Sequence, residues 1–220
     1  MRTETTIDSR ASTARPRVLL VDDHALLLDA LERLFSDEWN IVGKIDDARC
    51  VLHAAETMLP DVVILDVAMP FSNGLELARK LKGKCPDTRL VFLTMSEDPD
   101  IAAEAFRMGA SAYVLKSLAA SELSRVMRDV HAGKHYIAPS LAQTVVHSLV
   151  ERPEDDSKGL TDRQKDVLRL ITRGLTMKEV AAALNISTRT VAFHKYQMMR
   201  QLGIATSAEL IQYAVRRSMH

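Results

Sequence analysis

Residues 17–137 of this 220-residue chain predict an α/β domain built on a five-stranded parallel sheet, and residues 159–220 predict a small all-α domain of four helices. Three observations lead there: five short apolar runs alternate with helix-spaced segments, helix-capping patterns recur near the C-terminus, and the charges divide unevenly between the two regions. The whole chain carries 29 Lys+Arg and 29 Asp+Glu, but Lys158–His220 holds eleven basic residues against four acidic ones, a balance of +7. The preceding 157 residues balance at −7, which marks an acidic domain joined to a basic one that faces a polyanion.

The apolar runs are Val18–Val21, Ile41–Ile45, Val62–Leu65, Leu90–Leu93 and Tyr113–Leu115. VLLV, VVIL and LVFL are continuously apolar and partly β-branched, as strands buried on both faces should be. Between them, Leu27, Leu28, Leu31 and Leu34, and then Leu75, Leu77, Ala78 and Leu81, fall at helical spacing. Strand and helix alternating five times predict a parallel sheet with helices on both faces, joined by right-handed crossovers.

The chemistry lies at the strand ends. The first run ends in Asp22-Asp23, the third in Asp66, the fourth in Thr94 and the fifth in Lys116. In a parallel sheet these ends share one edge, where open α/β folds bind ligands. Three gathered carboxylates repel one another unless a cation joins them. Oxygen ligands of this kind suit Mg²⁺, which keeps several waters and shares a phosphate. Lys116 would meet a phosphoryl oxygen, Thr94 would donate a hydroxyl, and one carboxylate would serve as nucleophile to give an acyl phosphate.

The stretches VLLVDDH, VVILDVAMPFSNG, VFLT and YVLK, in that order over residues 17–137, resemble the receiver domain of two-component response regulators, a flavodoxin-like (βα)5 fold. The resemblance implies that Asp66 accepts phosphate from a sensor histidine kinase. It implies that Asp22, Asp23, Asp66 and the main-chain oxygen of Ala68 hold Mg²⁺, that Lys116 pairs with the phosphate, that Thr94 is the switch hydroxyl and that Tyr113 is an aromatic that changes rotamer. Ala68 stands where many receivers carry a larger or polar side chain, and Ser117 where many have proline. His24 reads as a loop or helix-start residue, since a lone imidazole beside hard oxygen ligands suits Mg²⁺ poorly.

In the second region, Thr161–Gln164, Thr176–Glu179 and Thr206–Glu209 each fit the capping-box pattern, and Gly174 and Gly203 suit helix ends. Leu184-Asn-Ile-Ser187 reads as the turn of a helix-turn-helix. On the helix after that turn, Val191, Met198 and Leu202 share one line to within about 20° at 100° per residue. Arg189, Ala192, Phe193, Tyr196 and Arg200 gather opposite, so two aromatics and two guanidiniums face away from the core. With the local basic excess, that face suits the DNA major groove.

The run GLTDRQKDVLRLITRGLTMKEVAAALNISTRTVAFHKYQMMRQLGIATSAEL resembles the LuxR-type helix-turn-helix of NarL/FixJ response regulators. By that resemblance Ala192, Phe193 and Tyr196 address base edges, while Lys178, Thr188, Arg189, Thr190, His194 and Lys195 contact phosphates or frame the groove. The base-facing trio lacks Arg, Lys, Asn and Gln, so thymine methyl contacts, a Tyr hydroxyl bond and groove shape carry more of the readout.

The organisation expected is a disordered tail over residues 1–16, a receiver over 17–137, a linker over 138–158 and a DNA-binding domain over 159–220. The tail has no apolar signal core and no apolar run reaches the ~18 residues of a membrane span, so a cytoplasmic protein without a membrane partner is expected. Cys50 and Cys85 lack metal-ligand spacing and read as reduced thiols. The function expected is a non-enzymatic transcription factor: phosphate on Asp66 controls binding to double-stranded DNA, with a homodimer as the active form and RNA polymerase as a downstream partner. Two other classes share parts of the pattern. A Mg²⁺-dependent phosphohydrolase would want a second acid at position 68, where Ala68 stands; a phosphorylation-independent regulator would use the receiver for protein contacts.

Overall fold

The computed structural model describes residues 15–67, 69, 74–118, 120–151 and 160–217. Five strands, β1 (Arg17–Val21), β2 (Asn40–Ile45), β3 (Val62–Leu65), β4 (Arg89–Thr94) and β5 (Ala110–Leu115), lie where the apolar runs place them. A sixth, β6 (Tyr136–Ile137), extends the sheet to the order β2-β1-β3-β4-β5-β6, all parallel. The five-stranded expectation is thus one strand short. A two-residue strand is below the length at which alternation gives a signal.

Alternation along each buried strand divides the core in two. Leu19, Val21, Val63, Leu65, Leu90, Phe92 and Tyr113 point to one face; Val18, Leu20, Val62, Ile64, Val91, Leu93, Ala112 and Val114 point to the other. The second face is covered by α1 (Ala25–Phe35) and α5 (Ala120–His131), through Leu28, Leu31, Phe35, Leu123, Val126 and Met127. The first is covered by α2 (Val51–Met58), α3 (Gly74–Lys84), α4 (Pro99–Arg107) and α6 (Pro139–Glu151).

Helix α6 falls within residues 138–158, the stretch expected to be a linker. Leu141 and Val145, four residues apart, are buried against the first core face, so the first half of that stretch belongs to the α/β body. Residues 152–159 and the N-terminal residues 1–14 lie outside the described residues.

The C-terminal helices are α7 (Asp162–Thr172), α8 (Met177–Leu184), α9 (Thr188–Gln201) and α10 (Ser207–Arg216). Both capping boxes at Thr161–Gln164 and Thr176–Glu179 are reciprocal. At Thr206 the hydroxyl accepts from the Glu209 amide, while the Glu209 carboxylate takes the amide of Ala205 instead. Asn185 closes α8 at φ 52°, and Gly174 (φ 86°) comes after α7, left-handed positions that let the chain reverse between helices. Leu160, Val167, Leu168, Val180, Val191, Met198, Leu210 and Ala214 form a separate small core.

Candidate functional site: an acidic rim covered by a helix-turn-helix

The C-terminal ends of β1, β3, β4 and β5 converge as expected. Lys116 Nζ lies 2.6 Å from Asp22 Oδ2 and 2.9 Å from Asp66 Oδ2, bridging two carboxylates that are almost fully buried. Burial alone would pull the Lys116 ammonium down, but the two acids outweigh it and hold the group above its ordinary value. Asp22, Asp23, His24 and Asp66 each offer a ligand atom, all within 4.8 Å of one another. Asp23 Oδ1 is buried, and the His24 Nδ1 that stands 3.0 Å from it lacks hydrogen-bond geometry. A buried carboxylate oxygen that accepts no hydrogen bond, beside two further acids, suits a hard cation, so these side chains fit a divalent ion. The main-chain oxygen of Ala68 lies outside the described residues. His24 stands at the N-cap position of α1 without a side-chain cap, the helix-start place read from the sequence, and directs Nδ1 to Asp22 Oδ1 at 2.8 Å and Asp23 Oδ1 at 3.0 Å.

Thr94 is fully buried at the end of β4, its Oγ1 accepting from the Ser96 amide. Tyr113 is turned into the core, and its hydroxyl donates to the Ser96 carbonyl at 3.0 Å. Burial pushes this phenol far above its usual range, so it stays a neutral donor. The β4–α4 loop thus joins Thr94 and Tyr113 to the N-terminus of α4, where Asp98 caps the helix by accepting from the Asp100 amide. The Lys116–Ser117 bond is trans, like every peptide bond described.

The helix-turn-helix sits on this same rim. Phe193 packs onto the first core face of the α/β body. His194 is fully buried and shares a 2.9 Å contact with Asp98 Oδ2. Burial pushes the Asp98 carboxyl up, but the His194 hydrogen bond and charge and the helix amides leave it below the usual carboxylate value. Around that contact, Arg189 reaches Asp23 Oδ2 at 3.3 Å, Tyr196 donates to Glu76 Oε2 at 3.3 Å and Arg200 donates to Glu104 Oε1 at 3.0 Å. Thr161 donates to Asp100 Oδ2 at 2.9 Å. A cleft of about 1590 Å³ runs between the two domains, lined by Asp66, Thr94 and Lys116 on one wall and Arg189, Lys195 and Tyr196 on the other.

Of the residues expected to touch DNA, Lys178, Thr188, Arg189, Ala192 and Tyr196 are exposed, but Arg189 and Tyr196 are engaged by receiver acids. Lys195 and Phe193 are half-buried, while Thr190 and His194 are buried, Thr190 against Ser187. In this arrangement the face expected in the major groove is turned to the receiver, and His194 cannot meet a phosphate. The receiver acids that engage the second domain, Glu76, Asp98 and Glu104 against α9 and Asp100 against Thr161, are not marked out by the sequence. Their one local signal is the Asp98-Pro99 helix start.

An acid-rimmed parallel sheet joined to a helix-turn-helix defines a two-domain regulator. Residues 18–128 match the response regulator receiver domain, and residues 158–214 match the bacterial regulatory proteins of the luxR family. The transcriptional regulatory protein MctR of Rhizobium johnstonii is 32% identical over 207 residues, covering 92% of this chain and 95% of that one. The response regulator UvrY of Escherichia coli K12 is also 32% identical, over 92% and 94% of the two chains. Among solved structures, the RcsB response regulator of Salmonella typhimurium, in a study of conformational dynamism for DNA interaction, superimposes with a TM-score of 0.55 at 26% identity, over 91% and 98% of the chains. The chain belongs to the two-component response regulators of the NarL/FixJ family, with a receiver and a LuxR-type DNA-binding domain that regulate transcription. Among the described residues no helix is long and apolar enough to cross a membrane.

Proposed function

We propose that Asp66 takes a phosphoryl group from a phosphohistidine of a sensor kinase and that this transfer governs whether α9 can reach DNA. One Asp66 carboxylate oxygen attacks phosphorus, the P–N bond to the donor imidazole breaks, and an acyl phosphate forms. Lys116, now shared between Asp22 and Asp66, would transfer its contact to a phosphoryl oxygen. Asp22, Asp23 and Asp66 would hold Mg²⁺, with the main-chain oxygen of Ala68 as a further ligand. The bound ion would supply positive charge to offset that of the incoming group. Thr94 would donate its hydroxyl to the phosphoryl group, pulling on the loop whose Ser96 carbonyl now holds Tyr113.

The observation that carries this reading is that the Asp66–Lys116 cluster and α9 meet at one rim, where Thr94 and Asp98, the partner of His194, stand four residues apart in the chain. A change of Thr94 and Tyr113 moves the loop that positions Asp98 and so weakens the hold on His194. The freed face would then present Ala192, Phe193 and Tyr196 to base edges, and Lys178, Thr188, Arg189, Thr190, His194 and Lys195 to phosphates. One small domain neutralising few phosphates binds weakly at cellular salt, so a homodimer on paired half-sites is the working form. RNA polymerase is the downstream partner and the cytoplasm the compartment. The domain bounds that accompany this reading are 17–137, with α6 added to it, and 159–220.

Incubation with acetyl phosphate and Mg²⁺ tests the first step. The parent is expected to gain one acid-labile phosphate and tighter duplex binding, and Asp66→Asn neither. Duplex binding that responds equally in Asp66→Asn would overturn the reading in favour of a phosphate-independent receiver.

A further inference from the structure

The contact between Arg189 and Asp23 ties the DNA-facing helix to a carboxylate of the cation cluster itself. We propose that a divalent cation bound by Asp22, Asp23 and Asp66 competes with Arg189 for this rim, so that the metal alone, before any phosphate arrives, loosens the hold on the helix-turn-helix. This deepens the proposed control of α9 by the receiver and rests on it.

The charge count gives the sign. Without metal, Asp22, Asp23 and Asp66 against Lys116 leave a formal charge of −2 on the rim, and Arg189 is drawn to it. A divalent ion brings that sum to zero. Asp23 offers two oxygens: Oδ2 faces Arg189 at 3.3 Å, while Oδ1 is buried with the His24 imidazole beside it, Nδ1 at 3.0 Å. A cation held by these carboxylates would offset the charge that draws Arg189 and would itself repel the guanidinium. Asp23 is 17% exposed at its side chain and Arg189 48%, so solvent and salt screen this interaction substantially and the effect is read at low ionic strength. The effect is therefore electrostatic and local, separate from the path through Thr94 and Tyr113. A phosphoryl group on Asp66 returns one negative charge to the rim, so phosphate does not loosen Arg189 through Asp23 and must act on the Asp98 side.

Linkage makes the effect reciprocal. If the cation weakens closure, closure weakens cation binding by the same factor. Removing the guanidinium should then tighten the cation site, although Arg189 is 166 positions away in sequence.

The test is a calorimetric titration of Mg²⁺ into the full unphosphorylated chain at low ionic strength, in the parent, in Arg189→Gln and in Glu104→Gln. The last removes the charge that holds Arg200 on α4 and leaves the acid cluster untouched. Arg189→Gln is expected to bind Mg²⁺ three- to tenfold tighter than the parent. Glu104→Gln is expected to bind it tighter by a smaller factor, because it opens the domains without removing Arg189, and to bind duplex DNA more tightly. If Arg189→Gln binds Mg²⁺ with the parent's affinity while Glu104→Gln still gains DNA affinity, the competition is wrong and the closed-state reading stands. If neither variant differs from the parent in either measurement, both fail.

Discussion

Asp98→Asn isolates the strongest single contact between the domains. The substitution keeps size and capping ability, since Asn is as good an N-cap as Asp, so α4 should retain its start. What it removes is the negative charge facing His194, a group with no solvent exposure, at 2.9 Å. Hydrogen bonds to charged groups contribute roughly 1.5–3 kcal/mol and neutral ones about 1, so the exchange should cost the closed state about 1.5 kcal/mol. The weaker approach of Arg163 Nε at 3.9 Å loses its charge partner as well. About 1.4 kcal/mol is a factor of ten, so the open fraction should rise about tenfold while closure still dominates. Apparent affinity for duplex DNA should rise by the same factor without phosphate. The assay is fluorescence anisotropy with a duplex selected from a random pool, for parent and variant at one fixed salt concentration. The two proteins should converge once acetyl phosphate and Mg²⁺ are added. If the unphosphorylated variant binds within twofold of the parent, His194–Asp98 does not govern access to α9.

Three further outcomes rest on the same geometry. Lys116→Ala leaves the buried Asp22 and Asp66 carboxylates facing each other without their cation, which should cost about 3–5 kcal/mol in urea unfolding; Mg²⁺ should raise its melting temperature more than the parent's. Phe35→Ala empties a site 1% exposed beneath α1 and should cost about 3–5 kcal/mol, read from the urea midpoint at constant m. The folded state holds Asp98 below its ordinary value of 3.8, so its contribution to stability is complete above that value and is lost as pH falls through the depressed one. Melting temperature below about pH 4 should accordingly fall less steeply in Asp98→Asn than in the parent.

How much of this could be read from the amino acids depends on the range of the interactions. Runs such as VLLV and VVIL announce buried parallel strands within four residues, and a parallel sheet then has no choice but to bring Asp22, Asp66, Thr94 and Lys116 to one edge. The capping boxes at Thr161 and Thr176 were legible for the same reason, each closing over three residues. Helix α6 is hard to read because Leu141 and Val145, although at helical spacing, bury against a core face assembled from strands far away in sequence. The contacts between domains left no trace of that kind. His194 and Asp98 are 96 positions apart, and nothing local distinguishes an imidazole aimed at DNA from one aimed at an acid. The wheel of α9 marked out a face in need of a partner; it did not say that the partner would be this chain's own receiver.

Helix α4 works as a mechanical part. Its N-cap, Asp98, grips His194, its second half holds Arg200 through Glu104, and its flank carries α6, the last helix before the second domain. The catch on α9 and the seat of α6 are therefore mounted on one short rod that begins five residues after β4. A tilt of that rod does not have to be relayed through the protein to reach the DNA-facing helix: it shifts the catch and the anchor of the tether in one movement.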